Sequence, residues 1–366
     1  MSDRYSQPST VRFLQPWDGD ILNRHDGKAV EGGLEITVRG EAPANAAVTV
    51  NGIPMRRDGT TFVGNVVLRD FETKLTARAE GAGEASITVL WDRNSFPRYR
   101  FSVDDNIQFL KDLAVNATRY NSLFDNWYLA FWREMHQRYG ARVQFNIYYA
   151  TDERDFNLSQ MPERYRDEWK ANADWLRLTF HAYADHPDRP YLRATYEEIE
   201  RDFVLIHREI ERFAGPELLS PFTTIHWGAA TLEACRALRD HGMRGFAGYF
   251  ILQDGEPLVS YYLDREQVEH VNTRDYWKDM RENILFVKHD QVVNTIPLER
   301  VVPHLEEVAA RPHEAEVIEL MVHEQYFCPF LSHYQPDIQQ RVEAAIRWVT
   351  EKGYKPVFFE EGFLGA

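Results

Sequence analysis

Cysteine is nearly missing from this chain: Cys235 and Cys328 are the only two in 366 residues. That excludes a disulfide framework, and a cysteine-rich zinc site with it. Long apolar runs are missing as well, so no membrane partner is expected. Positive charge is in deficit, with 42 Lys and Arg against 57 Asp and Glu and a formal net charge of -15. Such a balance argues against nucleic acid or an anionic membrane as partner. It suits a neutral substrate, or a cationic product that leaves easily. There are no low-complexity tracts or short-period repeats. The start, Met-Ser-Asp-Arg-Tyr-Ser-Gln-Pro, has no apolar segment of a secretory signal. The expectation is therefore a cytoplasmic chain as it stands, or an extracytoplasmic one had a signal been removed. Oligomeric state is left open.

What is present is an ordinary globular composition, 44% hydrophobic and 27% charged, in a chain long enough for two domains. Aromatic residues make up 13%, enough both to pack a core and to stack on sugar rings.

Residues 1–95 read as an all-β domain. Short alternating runs such as Leu34-Glu-Ile-Thr-Val38 and Ala47-Val-Thr-Val-Asn51 are separated by turn signals at Asn51-Gly52 and Asp58-Gly59. Regular strands without a helix argue for a β-sandwich. The run Val-Thr-Val-Asn-Gly followed by Gly-x-Phe resembles the bacterial immunoglobulin-like accessory domains of carbohydrate-active enzymes. Residues 96–366 change texture to alternating strands and helices, an α/β pattern. The strands expected are Tyr99–Val103, Val143–Tyr149, Trp175–Phe180, Thr223–His226, Gly245–Phe250, Ile284–Lys288, Val317–Val322 and Pro356–Phe359. Helices are expected over Asn106–Ala114, Leu123–Tyr139, Tyr196–Phe213, Ala230–His241, Leu298–Ala310 and Pro336–Lys352. Seven or eight such repeats suit an irregular (β/α) barrel.

The chemistry-bearing residues fall at C-terminal strand ends, where α/β folds build their sites. Tyr99-Arg-Phe-Ser-Val103 runs into Asp104 and Asp105. Neighbouring side chains of a regular strand face opposite ways, so two aspartates share one site only where the strand frays. The bland alternative is an Asp pair that caps the following helix. The third strand runs into His181-Ala-Tyr183-Ala-Asp185-His186-Pro187. Residues five apart diverge by about 140° on a helix, so His181 and His186 converge only from a loop, which Pro187 favours. Imidazoles plus one carboxylate leave open positions on a divalent ion, as a catalytic metal site requires. Two more strand ends supply His226-Trp227 and His323-Glu324; a His beside a Trp is as readily packed as functional. His289-Asp290 has the same placement without a supporting pattern.

Ser-Val-Asp104-Asp105, then His181…His186-Pro187, then a strand ending in His323 resembles the polysaccharide deacetylase superfamily, the carbohydrate esterase family 4 fold, from about Arg98 onward. The resemblance implies an irregular barrel and metal-dependent removal of acetyl groups from an acetylated poly- or oligosaccharide. It implies Asp104 as general base, Asp105, His181 and His186 as ligands of a divalent ion (zinc, with cobalt or nickel also suited), and His323 as general acid. His226, Trp227, Tyr183 and Glu324 are the expected substrate contacts. The histidines stand five apart where the family has four, which leaves Asp185 as a rival to His186. Two other readings stay open: a glycosidase pairing Asp104 with Glu324, and a carbohydrate-binding protein without catalysis.

Overall fold

The computed structural model describes residues 10–361. They divide into two compact units. Of the described residues, one unit takes 10–95 together with Tyr276–Asn283, and the other takes Phe96–Asp275 together with 284–361.

The first unit holds two five-stranded sheets. One is built around Gly33–Glu41 and Thr61–Leu68, paired antiparallel, and the other around Glu72–Ala79 and Gly83–Trp91. The alternation read from the sequence is the cause: along Gly33–Glu41, Ile36, Val38 and Gly40 are buried while Thr37 and Arg39 face out. Val38, Phe62, Leu68 and Ala77 are completely buried in one core. Asn51-Gly52 closes the hairpin Val48–Val50 to Ile53–Pro54 with both residues at positive φ, 48° and 82°, as a two-residue hairpin turn needs. Within this unit the indole of Trp277 donates to the Asp18 carbonyl at 2.8 Å, and the Tyr276 hydroxyl to Asp92 at 2.9 Å.

The second unit is mixed α/β with parallel sheets. Its main strands are β1 (Arg98–Asn106), β2 (Val143–Tyr148), β3 (Leu176–Ala182), β4 (Phe222–Thr223), β5 (Gly245–Gly248), β6 (Ile284–Lys288), β7 (Gln291–Val292) and β8 (Val317–His323). One parallel sheet runs in the order β3-β2-β1-β8-β7, and a second pairs β4, β5 and β6. Every residue of β2 and β6 is buried, the signature of strands covered on both faces. An isolated bridge rather than a ladder joins the β3 and β4 edges of the two sheets: Ser220 N–H donates to the Leu178 carbonyl at 3.1 Å.

The main helices are α1 (Gln108–Val115), α2 (Trp127–Tyr139), α3 (Tyr196–Phe213), α4 (Leu232–Asp240), α5 (Leu298–Ala309) and α6 (Ile338–Glu351). α3 shows why they form. Thr195 and Glu198 make a reciprocal capping box, and Ile199, Phe203, Ile206, Ile210 and Phe213 line one buried stripe. Each such burial contributes roughly 1.5–3 kcal/mol. The end of α2 is set by Gly140 in the left-handed region, φ 70°.

Several boundaries differ from the sequence expectation; the expected strand Pro356–Phe359, for one, is reduced to Lys355–Pro356. β1 continues through Asn106, so the next helix starts at Gln108. The expected helix Leu123–Tyr139 is interrupted at Asn126, whose side chain accepts from Leu129 N–H and caps α2 afresh. The expected strand Thr223–His226 stops at Thr223, because Trp227 and Gly228 turn at φ 63° and 51°.

Candidate metal centre

The site begins with an irregularity in β1. Against β2, Val103 pairs with Phe145 and Asn106 with Ile147, so Asp104 and Asp105 together face the single residue Asn146. This is a β-bulge, and Asp105 sits in it at φ 63°. It solves the problem that adjacent strand residues point opposite ways: the strand need not fray for both carboxylates to reach the same mouth.

Asp105 is the hub. Its Oδ1 lies 3.0 Å from His181 Nε2 and 3.3 Å from His226 Nδ1, and it accepts the Tyr148 hydroxyl at 2.5 Å. Its Oδ2 accepts Gln325 Nε2 at 2.6 Å. His181 Nε2 and His226 Nδ1 are 3.2 Å apart. One donor atom from each of Asp105, His181 and His226 therefore falls within 4.8 Å of the others, all three residues being buried.

The tautomers make this cluster informative. His181 Nδ1 faces the Thr224 carbonyl and must donate to it, which in the neutral ring leaves Nε2 as a lone pair. His226 Nε2 faces the Asp185 carbonyl at 3.0 Å and must donate likewise, which leaves Nδ1 as a lone pair. With both rings neutral, two imidazole lone pairs and a carboxylate oxygen thus converge, the Tyr148 hydroxyl donating to Asp105 Oδ1 and Gln325 to its Oδ2. Such an arrangement calls for a cation, and the donor set, two imidazoles and one carboxylate, fits a divalent transition ion.

Charge follows the same geometry. Burial pushes the Asp105 carboxyl up, but His323, His181 and His226 outweigh it and hold the group well below the usual carboxylate range. Asp104 moves the other way, raised chiefly by burial despite His181 and His323. Burial lowers His181, yet Asp104 and Asp105 raise it overall. Tyr148 is pushed well up by burial and then by Asp105 and Asp185, so it remains a phenol.

Asp104 accepts from Asn146 Nδ2 at 2.5 Å. Across the neighbouring pair of strands it is in register with His323. His323 Nδ1 is 2.9 Å from Asn294 Oδ1, and donates to it. Both residues line a cavity of about 420 Å³ together with Tyr249, His289, Trp227 and Tyr326.

His186 does not join Asp105. It is exposed and bonds to Asp152, Nδ1 to Oδ2 at 2.7 Å and N–H to Oδ1 at 3.0 Å. The third position beside Asp105 and His181 belongs to His226, expected only as a substrate contact. That imidazole stands three residues past the end of the short strand β4, where the chain turns at Trp227. Asp185, the rival ligand, touches the cluster through its carbonyl on His226 and through the Tyr148 hydroxyl, 3.0 Å from its Oδ1.

Two expected substrate contacts lie elsewhere. Glu324 is buried, and its two oxygens accept the N–H groups of Ile107, Gln108 and Phe109 at 2.7–2.8 Å. It caps α1, and burial against these bonds leaves its carboxyl raised to about 7. With both oxygens taken it is not placed to serve as the acid or base of a glycosidase. The ring of Tyr183 packs against Tyr149 at 5.2 Å under Arg154, outside the cavity lining. Trp227 stays at the rim, 40% exposed, with Arg189 over its ring.

Asn146, Tyr148, Gln325 and Asn294 were not singled out in the sequence. Gln144, Asn146 and Tyr148 alternate along β2, and polar residues at i, i+2 and i+4 of an otherwise apolar strand were the signal available.

No family model matches the chain, and no curated protein does. Among solved structures it is similar to a CE4 family pseudoenzyme from Bacillus anthracis, with 11% identity and a TM-score of 0.31, over 73% of this chain and 66% of that one. It is also similar to the 4-alpha-glucanotransferase of Thermococcus litoralis, with 12% identity and a TM-score of 0.45, over 74% of this chain and 40% of that one. A GH5 xyloglucanase from Bacteroides ovatus aligns at 11% identity and a TM-score of 0.25, over 93% and 100%. The chain thus spans under two thirds of the length of the first two.

Proposed function

We propose that this protein is a metal-dependent hydrolase that removes acetyl groups from an acetylated poly- or oligosaccharide. The observation that carries the reading is the convergence of Asp105 Oδ1, His181 Nε2 and His226 Nδ1 beside a second carboxylate, Asp104, and a second imidazole, His323. Asp105, His181 and His226 would hold a divalent ion, with zinc, cobalt and nickel all suited to the donors; when bound it would supply Lewis-acid polarisation of the acyl oxygen and a more acidic water.

The residues of the chain do the rest. Asp104, fixed by Asn146, takes the proton from the attacking water as the new C–O bond forms. His323, anchored through Nδ1 by Asn294, gives a proton from Nε2 to the departing nitrogen or oxygen as its bond to the acyl carbon breaks. Tyr148 and Gln325 hold the Asp105 carboxylate so that it stays oriented toward both imidazoles. Trp227 offers a face at the rim for a sugar ring.

In this reading the two parallel sheets are the halves of an irregular (β/α) barrel, and the first unit is an immunoglobulin-like sandwich, the fold of accessory domains. The test is acetate release from acetylated oligosaccharides with and without chelator. Loss on chelation and recovery with added zinc, cobalt or nickel is expected; turnover that chelation leaves intact contradicts the proposal.

A further inference from the structure

Away from the metal centre, exposed apolar rings gather in one place. Trp127 is 41% exposed, Phe330 68% and Tyr334 39%. Trp127 opens α2, while Phe330 and Tyr334 lie on the segment between β8 and α6. The same segment carries Tyr326 and His333, which line the catalytic cavity. It is tied down: Gln335 N–H donates to the Tyr326 carbonyl at 2.9 Å. Gln335 Nε2 donates to the carbonyl of Asn294, the residue that anchors His323, at 3.0 Å.

The walls connect the rings to the reaction centre. A groove of about 550 Å³ runs past Trp127, Phe330, Tyr334 and Gln339, and no side chain lining it is charged. Trp127 and Phe330 also line a second groove of about 220 Å³, which includes Gln108. Gln108 in turn lines a cleft of about 210 Å³ that shares Asp105, Asp185, Gln325 and His333 with the catalytic cavity. Of the charged side chains on the way, Lys111 pairs with Asp155 at 2.5 Å, Asp112 accepts from Asn126 at 2.7 Å and Asp152 bonds His186 at 2.7 Å, while Glu153 stands exposed at the cleft. Aromatic faces with amide neighbours and no unpaired Lys or Arg suit a ligand with apolar C–H faces and hydroxyl edges. A phosphorylated or otherwise anionic ligand would find no counter-charge there.

We infer that Trp127, Phe330 and Tyr334 form a stacking site for unreacted units of an uncharged polysaccharide whose reacting unit lies at Asp105. This rests on the carbohydrate reading above and extends it: the substrate is a chain long enough to pass from the cavity through the Gln108 cleft onto the aromatic groove. A short acetylated compound fills the cavity alone.

The experiment compares the wild type, Phe330→Ala and the Trp127→Ala/Phe330→Ala pair. Each is assayed on 4-nitrophenyl acetate, on hexa-N-acetylchitohexaose and on acetylated xylan. Binding of the two carbohydrates is measured separately by calorimetry with Asp104→Asn protein carrying the same changes. The expected result is a loss of about tenfold in kcat/KM and in affinity on at least one carbohydrate, with 4-nitrophenyl acetate changed less than about twofold. Phe330 is exposed, so its replacement leaves the fold intact and keeps the test valid should the double variant unfold. Unchanged carbohydrate kinetics and affinity, or no carbohydrate binding by the wild type, overturns the inference. Binding that depends on Phe330 in a protein that releases no acetate upholds the groove while the deacetylase reading fails.

Discussion

Asp104 and His323 stand opposite one another in register on adjacent parallel strands, each with one side-chain atom pinned by an asparagine. Parallel pairing brings the ends of β1 and β8 to one rim, so a carboxylate and an imidazole face the same cavity without either being carried on a loop. Replacing Asp104 by Asn keeps the shape and removes the proton acceptor. The expected outcome is a drop in acetate release of roughly 10²- to 10⁴-fold with metal content unchanged, measured by coupled acetate assay and elemental analysis.

Tyr148 is the proton donor within a set of acceptors, reaching Asp105 at 2.5 Å, His226 at 3.0 Å and Asp185 at 3.0 Å. Tyr148→Phe leaves the ligand atoms in place but frees the carboxylate to rotate. Metal affinity should fall by roughly 10- to 100-fold, read by competition with a chelating dye, while the thermal midpoint without metal moves little.

Glu324 accepts three backbone N–H groups at the start of α1 from a fully buried position. Glu324→Ala strands those donors, and a cost of about 3 kcal/mol in urea unfolding is expected. A substrate contact would behave differently, raising KM with stability unchanged.

Glu324 also shows what the sequence could not reveal. It follows His323 in the same strand-end motif and reads as a second functional carboxylate, because nothing local says that its partners lie 215–217 residues earlier. The spacing of His181 and His186 suggested ligands of one ion, but the backbone after Phe180 carries His186 out to Asp152 and Asp185, away from His181. His226 was hidden by its strand assignment, since the left-handed turn at Trp227 has no Gly or Asn to announce it at that residue. The strand ends themselves were legible, because buried parallel strands are apolar runs and a polar residue closing one stands out. Asp104, Asp105, His181 and His323 were placed at the shared mouth on that basis.

His289 is buried in the cavity wall with Nε2 at 3.2 Å from Thr224 Oγ1, and burial followed by the nearby His323 holds its pKa down at about 3. A depressed imidazole is neutral in the fold and protonated in the unfolded chain below about pH 6.5. Its contribution to stability is complete above that pH and is lost as pH falls toward 3. Urea midpoints between pH 6.5 and 4 should fall with acid, by up to about 1.4 kcal/mol per pH unit from this group. In His289→Gln that slope should be shallower, and an unchanged slope would show that the ring is solvated.

The most direct test of the whole account is the metal content of three proteins purified and loaded identically: wild type, His226→Ala and His186→Ala. The account predicts about one divalent ion per chain in the wild type and in His186→Ala, and a small fraction of that in His226→Ala. An ion retained without His226 but lost without His186 would contradict it.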